Sequence, residues 1–392
     1  MFARGCDDNV HVEKTVYFVG AGFTKALQHR QPVPMMMDFV HVMCHYADRD
    51  DVVLMALIAL EAMDCYEHRD PVLRALADDR KPKRHSREML DRIRRRPAES
   101  IEKLLSTAEE VENRLDRESP EILRAAIYSP VKRASFAINR MFRSIGWALR
   151  TKPLLSYLRN RCSSPNHRHT FVSFNYDLAL EHVLEQATSH WSPKAGYGLN
   201  LRWGAINDPD DVPGPDLVPL RGGRSNDVIV LKPHGSLNWL LDDRHRFHLP
   251  FISLTEEGRV RYIGTKVTHP YVSLPDRLPI AVSPFIVPPT SKKNTNTRVL
   301  QRIRQMETDA LAAADEVFVI GWSVPSTDED QVALIKHAVS QRSRPLQRLV
   351  VVNYAADTSY YDQVARIFRV KPRVMSVFDT GLQDFLSHER GS

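Results

Sequence analysis

The chain has 392 residues, with 54 Lys and Arg against 48 Asp and Glu, a formal charge of +6, 43% hydrophobic and 26% charged residues. These are the proportions of a folded globular protein and exclude disorder as its main state, while so small a cationic surplus does not by itself name an acidic partner. The length suits two to three domains, or one large domain carrying an insertion.

No uncharged apolar run approaches the roughly 18–20 residues of a membrane span. The opening MFARGCDDNVHVEK puts charges where a secretion signal needs an apolar core, so a cytoplasmic protein with no membrane association is expected. Cys6, Cys44, Cys65 and Cys162 are far apart and form no CxxC pair. A zinc ribbon is thereby rejected and no metal is expected.

In chain order, Thr15–Gly20 (TVYFVG) reads as a buried strand running into Gly20-Ala21-Gly22-Phe23-Thr24 and then a helix. A strand, a tight glycine turn and a helix open an α/β phosphate site. From residue 35 to 157 the pattern turns helical, with an apolar helix over Asp51–Met63, helical spacing from Ile101 to Leu115, and another long helix over Ala125–Leu149. Strands resume at His169–Phe174, with a helix at Leu178–Gln186 and a Gly-, Pro- and Asp-rich loop over about 189–227. Strands at Val228–Lys232, about 279–287, Val317–Ile320, Arg348–Asn353 and Arg373–Phe378 then alternate with helices at Arg298–Ala314, Asp328–Val339, Tyr360–Phe368 and near Leu382–His388. Continuous apolar strands alternating with helices predict an α/β, Rossmann-like, mostly parallel sheet covered on both faces. The expected organisation is a Rossmann domain from 1–34 and 158–392, interrupted by a helical insertion at 35–157.

Five strand ends carry polar or glycine residues. Gly20-Ala21-Gly22 lets the backbone turn sharply and approach a pyrophosphate. The third glycine of the dinucleotide fingerprint is replaced by Lys25, and no acidic residue caps a second strand at the expected distance, which disfavours a nicotinamide dehydrogenase. Asn175 and Asp177 follow the second strand; an amide can donate and accept, and Asp177 can also cap a helix. His234 stands beside Gly235 just past a buried strand, where an imidazole can face a cleft and act as a base. Gly321 and Ser323 follow a fourth strand, with Asp328 expected to cap the next helix. Asn353 ends a fifth strand and suits a ribose or base edge.

The ordered set GAGFT (20–24), SFNYD (173–177), KPHGSLNW (232–239), GWSVPSTD (321–328) and VVVN (350–353) resembles the sirtuin superfamily. With SIEKLL (100–105) and IVPPTSKK (286–293), it resembles in detail the bacterial sirtuin-like NADase branch found in anti-phage defence systems. The resemblance implies that Gly20, Ala21, Gly22 and Thr24 line the diphosphate and ribose of NAD+, the substrate. It implies that catalysis depends on Asn175 and His234, that Asp177 shapes the nicotinamide pocket, that Gly321 and Ser323 contact phosphate or adenosine ribose, and that Asn353 serves the adenosine side. Thr24 stands where the family commonly has Ser, and Ser173 where it commonly has Thr. The zinc-binding cysteine pairs of the protein deacylases are absent, which argues against histone-type deacylation.

The expected activity is NAD+ glycohydrolysis to nicotinamide and ADP-ribose, as the effector of a defence system. An NADase left active would exhaust its own cell. Control is therefore expected from homo-oligomerisation or from a protein partner such as a DNA-translocating ATPase. The alternatives are a subunit that binds NAD or ADP-ribose without cleaving it, and a deacylase. The run Arg80–Arg96 holds ten Lys, Arg or His in seventeen residues. It can touch nucleic acid, although a solvated helix face accounts for it too and it has no aromatic residue for base stacking.

Overall fold

The computed structural model describes residues 12–27, 33, 38–48, 152–164, 166–199, 202–204, 218–219, 227–242, 251–254, 259–260, 271–272, 280–287 and 297–391, with single and paired helical positions between 53 and 142. Its strands are β1 (Glu13–Val19), β2 (His167–Ser173), β3 (Arg202–Gly204), β4 (Val218–Pro219), β5 (Val228–Leu231), β6 (Gly235–Asp242), β7 (Phe251–Ser253), β8 (Tyr271–Val272), β9 (Ile280–Ile286), β10 (Glu316–Ile320), β11 (Arg348–Val352) and β12 (Met375–Phe378). Its helices are α1 (Ala21–Ala26), α2 (Phe39–Ala47), α3 (Lys152–Arg161), α4 (Ala179–Ala187), α5 (Arg298–Ala312), α6 (Glu329–Ser340), α7 (Thr358–Phe368) and α8 (Leu382–Gly391).

The chain is α/β. Six parallel strands form one sheet in the order β12-β11-β10-β1-β2-β5. The chain starts in the middle with β1, builds outward through β2 and β5, then returns to the other side of β1 for β10, β11 and β12. Connections therefore leave in opposite directions on the two sides of the β1–β10 boundary, the place where ligands of open α/β sheets bind. Register brings the carboxyl ends level: Val19 lies opposite both Ser173 and Ile320, and Ile320 opposite Val352. The residues that follow these strands consequently share one edge.

Apolar side chains on both faces explain why the strands read as unbroken hydrophobic runs. Tyr17 stacks on Phe171 and Phe318 on one face, where Phe385 of α8 and Tyr157 of α3 continue the aromatic packing. Phe18, the next residue, points to the other face and meets Phe368 of α7, Phe174 and Trp322. Both faces are thus covered, as the strand pattern demands.

A second six-stranded sheet, in the order β4-β3-β7-β6-β9-β8, was legible in the sequence only at β9. Its longest pairing is antiparallel β6–β9, with an irregularity between Ser236 and Leu240. The stretch KPHGSLNW, read as a loop past a strand, is a turn followed directly by β6. Between α2 and α3 the expected helices are only partly within the described residues. Positions such as Val53, Leu57, Leu105, Val111, Ile138 and Met141 are helical and buried in the same continuous core as the sheet. Most of Arg80–Arg96 lies outside the described residues; Arg94 is helical and pairs with Asp48 at 2.6 Å. No helix among the described residues is long and apolar enough to cross a membrane.

Glu307 of α5 is fully buried against α6, where it accepts from the Gln331 amide, and its second oxygen has no hydrogen-bond partner. Burial pushes its carboxyl up to about 8 from 4.5. The folded protein holds this proton while the unfolded chain releases it, so stability falls as pH rises from 4.5 to about 8. Glu307→Gln removes the ionisation. Thermal melts should show the variant level with wild type below pH 4.5 and increasingly more stable towards pH 8.

Candidate functional site

Three glycines make the joint at the centre of the carboxyl edge. The Gly20 amide donates to the Ile320 carbonyl at 3.0 Å, the Gly22 amide to Gly321 at 3.0 Å, and the Gly321 amide to Val352 at 2.9 Å. Gly321 has φ +63°, and a Cβ there would lie 2.4 Å from the Phe23 nitrogen. A Cβ at Gly20 would lie 2.4 Å from the Gly321 oxygen. The glycines are therefore required by the approach of the β1 turn to the β10 turn. The amides of Gly20 and Gly22 are already spent on that approach.

Asn175 follows β2 and reaches back to this joint. Its Nδ2 donates to the Gly20 carbonyl at 2.9 Å and to Thr24 Oγ1 at 3.0 Å. Thr24 Oγ1 in turn donates to the Asp177 carboxylate, 3.0 and 3.2 Å from its two oxygens. Asp177 Oδ1 also accepts from the Ala179 amide at 2.9 Å, so it caps α4 as well as anchoring Thr24. Thr24 and Asp177 are buried at 2% and 4% exposure, so a lost partner there leaves a polar group unpaid by water.

His234 sits in the turn between β5 and β6, closed by the Gly235 amide donating to the Lys232 carbonyl at 3.0 Å. Gly235 has φ +79°, and a Cβ there would lie 2.2 Å from the Phe285 oxygen. The Val287 amide holds the His234 carbonyl at 2.8 Å. The imidazole Nδ1 lies 3.3 Å from the Phe174 carbonyl, and Nε2 lies 3.5 Å from Asp328 Oδ1. Phe174 and Tyr176 flank the ring, with centroids 5.6 and 6.3 Å away. Both ring nitrogens thus face an acceptor.

Asp328 is the residue that sequence reasoning missed. It occupies the N-cap position of α6 but makes no side-chain cap bond. Its carboxylate is buried and accepts from Trp322 Nε1 at 3.1 Å while its other oxygen faces His234. The loop that delivers it is strained: Val324, β-branched and buried, has φ +52°. Such a residue holds that conformation only where its surroundings over-determine it.

The remaining expected site residues lie along the same edge. Ala21 opens α1. Ser323 is exposed past β10, and the half-buried Asn353 past β11 accepts from the Tyr354 amide at 3.0 Å. Asn175 and His234 thus belong to the β2–β5 side of the edge, and Ser323 and Asn353 to the β10–β11 side. Another buried histidine, His169, lies opposite Thr15 towards the amino end of the sheet, and burial pushes its imidazole down to about 4.

Behind the site runs a buried polar chain. Lys232 Nζ donates to the Asp177 carbonyl at 2.7 Å and pairs with Glu181 at 3.1 Å, both side chains wholly buried. Tyr197 donates to Glu181, Asn238 donates to the Tyr197 hydroxyl, and Ser236 donates to Asn238. Burial holds the Glu181 carboxyl above its ordinary value, against the opposing pull of Lys232.

The chain matches no protein-family model and no curated protein.

Gly321→Ala puts a methyl group into the joint and an L-residue into a left-handed conformation. The conformation alone costs about 1–2 kcal/mol, and the backbone clash adds to it. Urea denaturation should show a clear loss of stability, larger than that of an alanine placed at Gly381, where the nearest atom to a new Cβ is 3.6 Å away.

Proposed function

We propose that the protein is an NAD+ glycohydrolase that cleaves the bond between nicotinamide and ribose. The observation that carries this reading is the convergence of the Gly20–Gly22 turn, the Asn175 amide and the His234 imidazole on one end of a doubly wound sheet, linked through Gly20, Thr24 and Phe174. The resemblance to sirtuin-like NADases supports the choice of substrate.

The chemistry asks little of the protein. Nicotinamide bound to C1′ is cationic and departs neutral, so the leaving group needs no acid. The C1′–N bond breaks with its electron pair going to the pyridine nitrogen, and a water oxygen bonds to C1′. The water proton passes to His234, directly or through a ribose hydroxyl. Asn175, fixed by the Gly20 carbonyl, orients the ribose or the water. Asp328 holds the imidazolium that results. ADP-ribose and nicotinamide are the products.

A second reading, a module that binds NAD or ADP-ribose without cleaving it, draws support from His234 itself. Phe174 and Asp328 face its two nitrogens, so both are engaged by the protein itself in this arrangement. An NADase held in this arrangement is at rest. Release by a partner or by self-assembly is the control that a cell containing such an enzyme needs, and the defence-effector role is proposed on that basis.

Chromatography of NAD+ incubated with the protein, alone and with candidate partners, tests both readings. Wild type should release nicotinamide and ADP-ribose. Loss of a general base typically costs about 10²–10⁴-fold, so His234→Ala and Asn175→Ala should lose activity on that scale while melting near wild type. Full activity in either variant rejects the assigned role. NAD+ that is bound but intact under all conditions favours the binding module.

A further inference from the structure

Lys232 has a fully buried ammonium, a rare and costly state for a lysine. It lies two residues before His234, at the start of the turn that carries the imidazole. Its ammonium leaves that turn and grips the main-chain carbonyl of Asp177 at 2.7 Å, in the segment that follows β2. The same residue's carboxylate holds Thr24, and Thr24 accepts from the Asn175 amide. A continuous series of contacts therefore runs from the His234 turn through Lys232, Asp177 and Thr24 to Asn175. Glu181 of α4 balances the charge at 3.1 Å and is itself held by Tyr197.

Neighbouring packing does not require a cation here. Leu231, next to it in the chain, is buried and apolar. A methionine would fill the same space without the desolvation of two charges, and replacing a buried ion pair by apolar residues is often neutral or stabilising. What an apolar residue cannot do is hold the Asp177 carbonyl.

We infer that Lys232 is a positioning residue, whose buried ammonium locks the segment bearing Asn175 to the turn bearing His234, with Glu181 as its counter-ion. It touches no substrate. Its effect is to keep the amide and the imidazole in register with each other. The kinetic part of the inference rests on the NADase reading; the geometric part does not.

The test uses the full chain with Lys232→Met/Glu181→Leu, which removes both charges and leaves neither one stranded, and Thr24→Val, which cuts the same series beyond Asp177. Each should lower kcat about tenfold or more while KM for NAD+ stays within about twofold, the mark of lost transition-state positioning. Because both act through one path, the combined variant should lose no more than the more impaired parent, whereas independent effects would multiply. Unchanged kcat, or multiplying losses, overturns the inference. If the charge-free variant does not fold, Lys232→Met/Glu181→Gln, which keeps an acceptor for Tyr197, decides: a kcat deficit at melting near wild type supports the path, and full kcat breaks it. Wild type that never cleaves NAD+ removes the proposed function instead. Crystal structures of the variants then give the answer: an Asn175 amide that has left the Gly20 carbonyl supports the role of Lys232, and an unmoved one overturns it.

Discussion

Gly22 donates its amide to the carbonyl of Gly321, and a side chain on either Gly20 or Gly321 would drive a carbon into the opposing backbone. Through this contact the turn after the first strand and the turn after the fourth strand of the parallel sheet lie against each other without side chains between them. The joint falls at the boundary where the chain reverses its direction of build, the place where open α/β sheets bind ligands. Everything else at the edge is referenced to it. Asn175 takes its orientation from the Gly20 carbonyl, Thr24 from the helix that starts at Ala21, and Asp328 from the loop that Gly321 launches.

Charges at the edge come in buried pairs, and each pair spans two elements. Lys232 and Glu181 join the β5 end to α4, and His234 and Asp328 join the β5–β6 turn to the loop before α6. Burying a lone charge is expensive, so each partner specifies the position of the other. The two pairs differ in what they can do. The first is wholly enclosed and serves geometry. The second includes a ring nitrogen of a residue with 9% exposure, and its separation of 3.5 Å is long for a charge-assisted hydrogen bond.

The strands β1, β2, β10 and β11 were legible to within two residues, because a buried parallel strand must be a continuous β-branched and aromatic run and nothing else short and apolar ends in glycine or a polar residue here. Glycine scarcity, 16 in 392, made Gly20, Gly22 and Gly321 informative. Backbone approach to backbone already requires these glycines, in addition to the ligand approach the motif suggests. Of the second sheet, β9 was legible as the strand at about 279–287, whereas β3, β4, β7 and β8 have only two or three residues each, too few to show a period, and their pairing is non-local. Asp328 looked like a helix cap because local rules place Asp at that position. A tertiary partner, the Trp322 indole, outcompeted the helix amides. Lys232 was quoted only as part of a motif, since no local pattern announces that an ammonium will be enclosed.

Sheet polarity accounts for where the remaining charge sits. Helices that follow parallel strands begin at the carboxyl edge and end at the amino edge, and α3, which precedes β2, ends there as well. Basic side chains stand in several of their last turns: Arg159 and Arg161 in α3, His337 in α6, Arg366 in α7, His388 and Arg390 in α8. Acids stand in the first turns of α4 (Glu181), α6 (Glu329 and Asp330) and α8 (Asp384). Each placement offsets the helix dipole. Basic residues at the amino edge thus have a structural reason and do not by themselves mark a nucleic-acid surface. At the opposite edge the helix starts present their positive ends towards the crevice, and acids in the first turns of α6 and α8 offset them there. On the β1–β5 side no acid stands in the first turn of α1. The first-turn acid on that side is Glu181 of α4, and it is already paired with the buried Lys232.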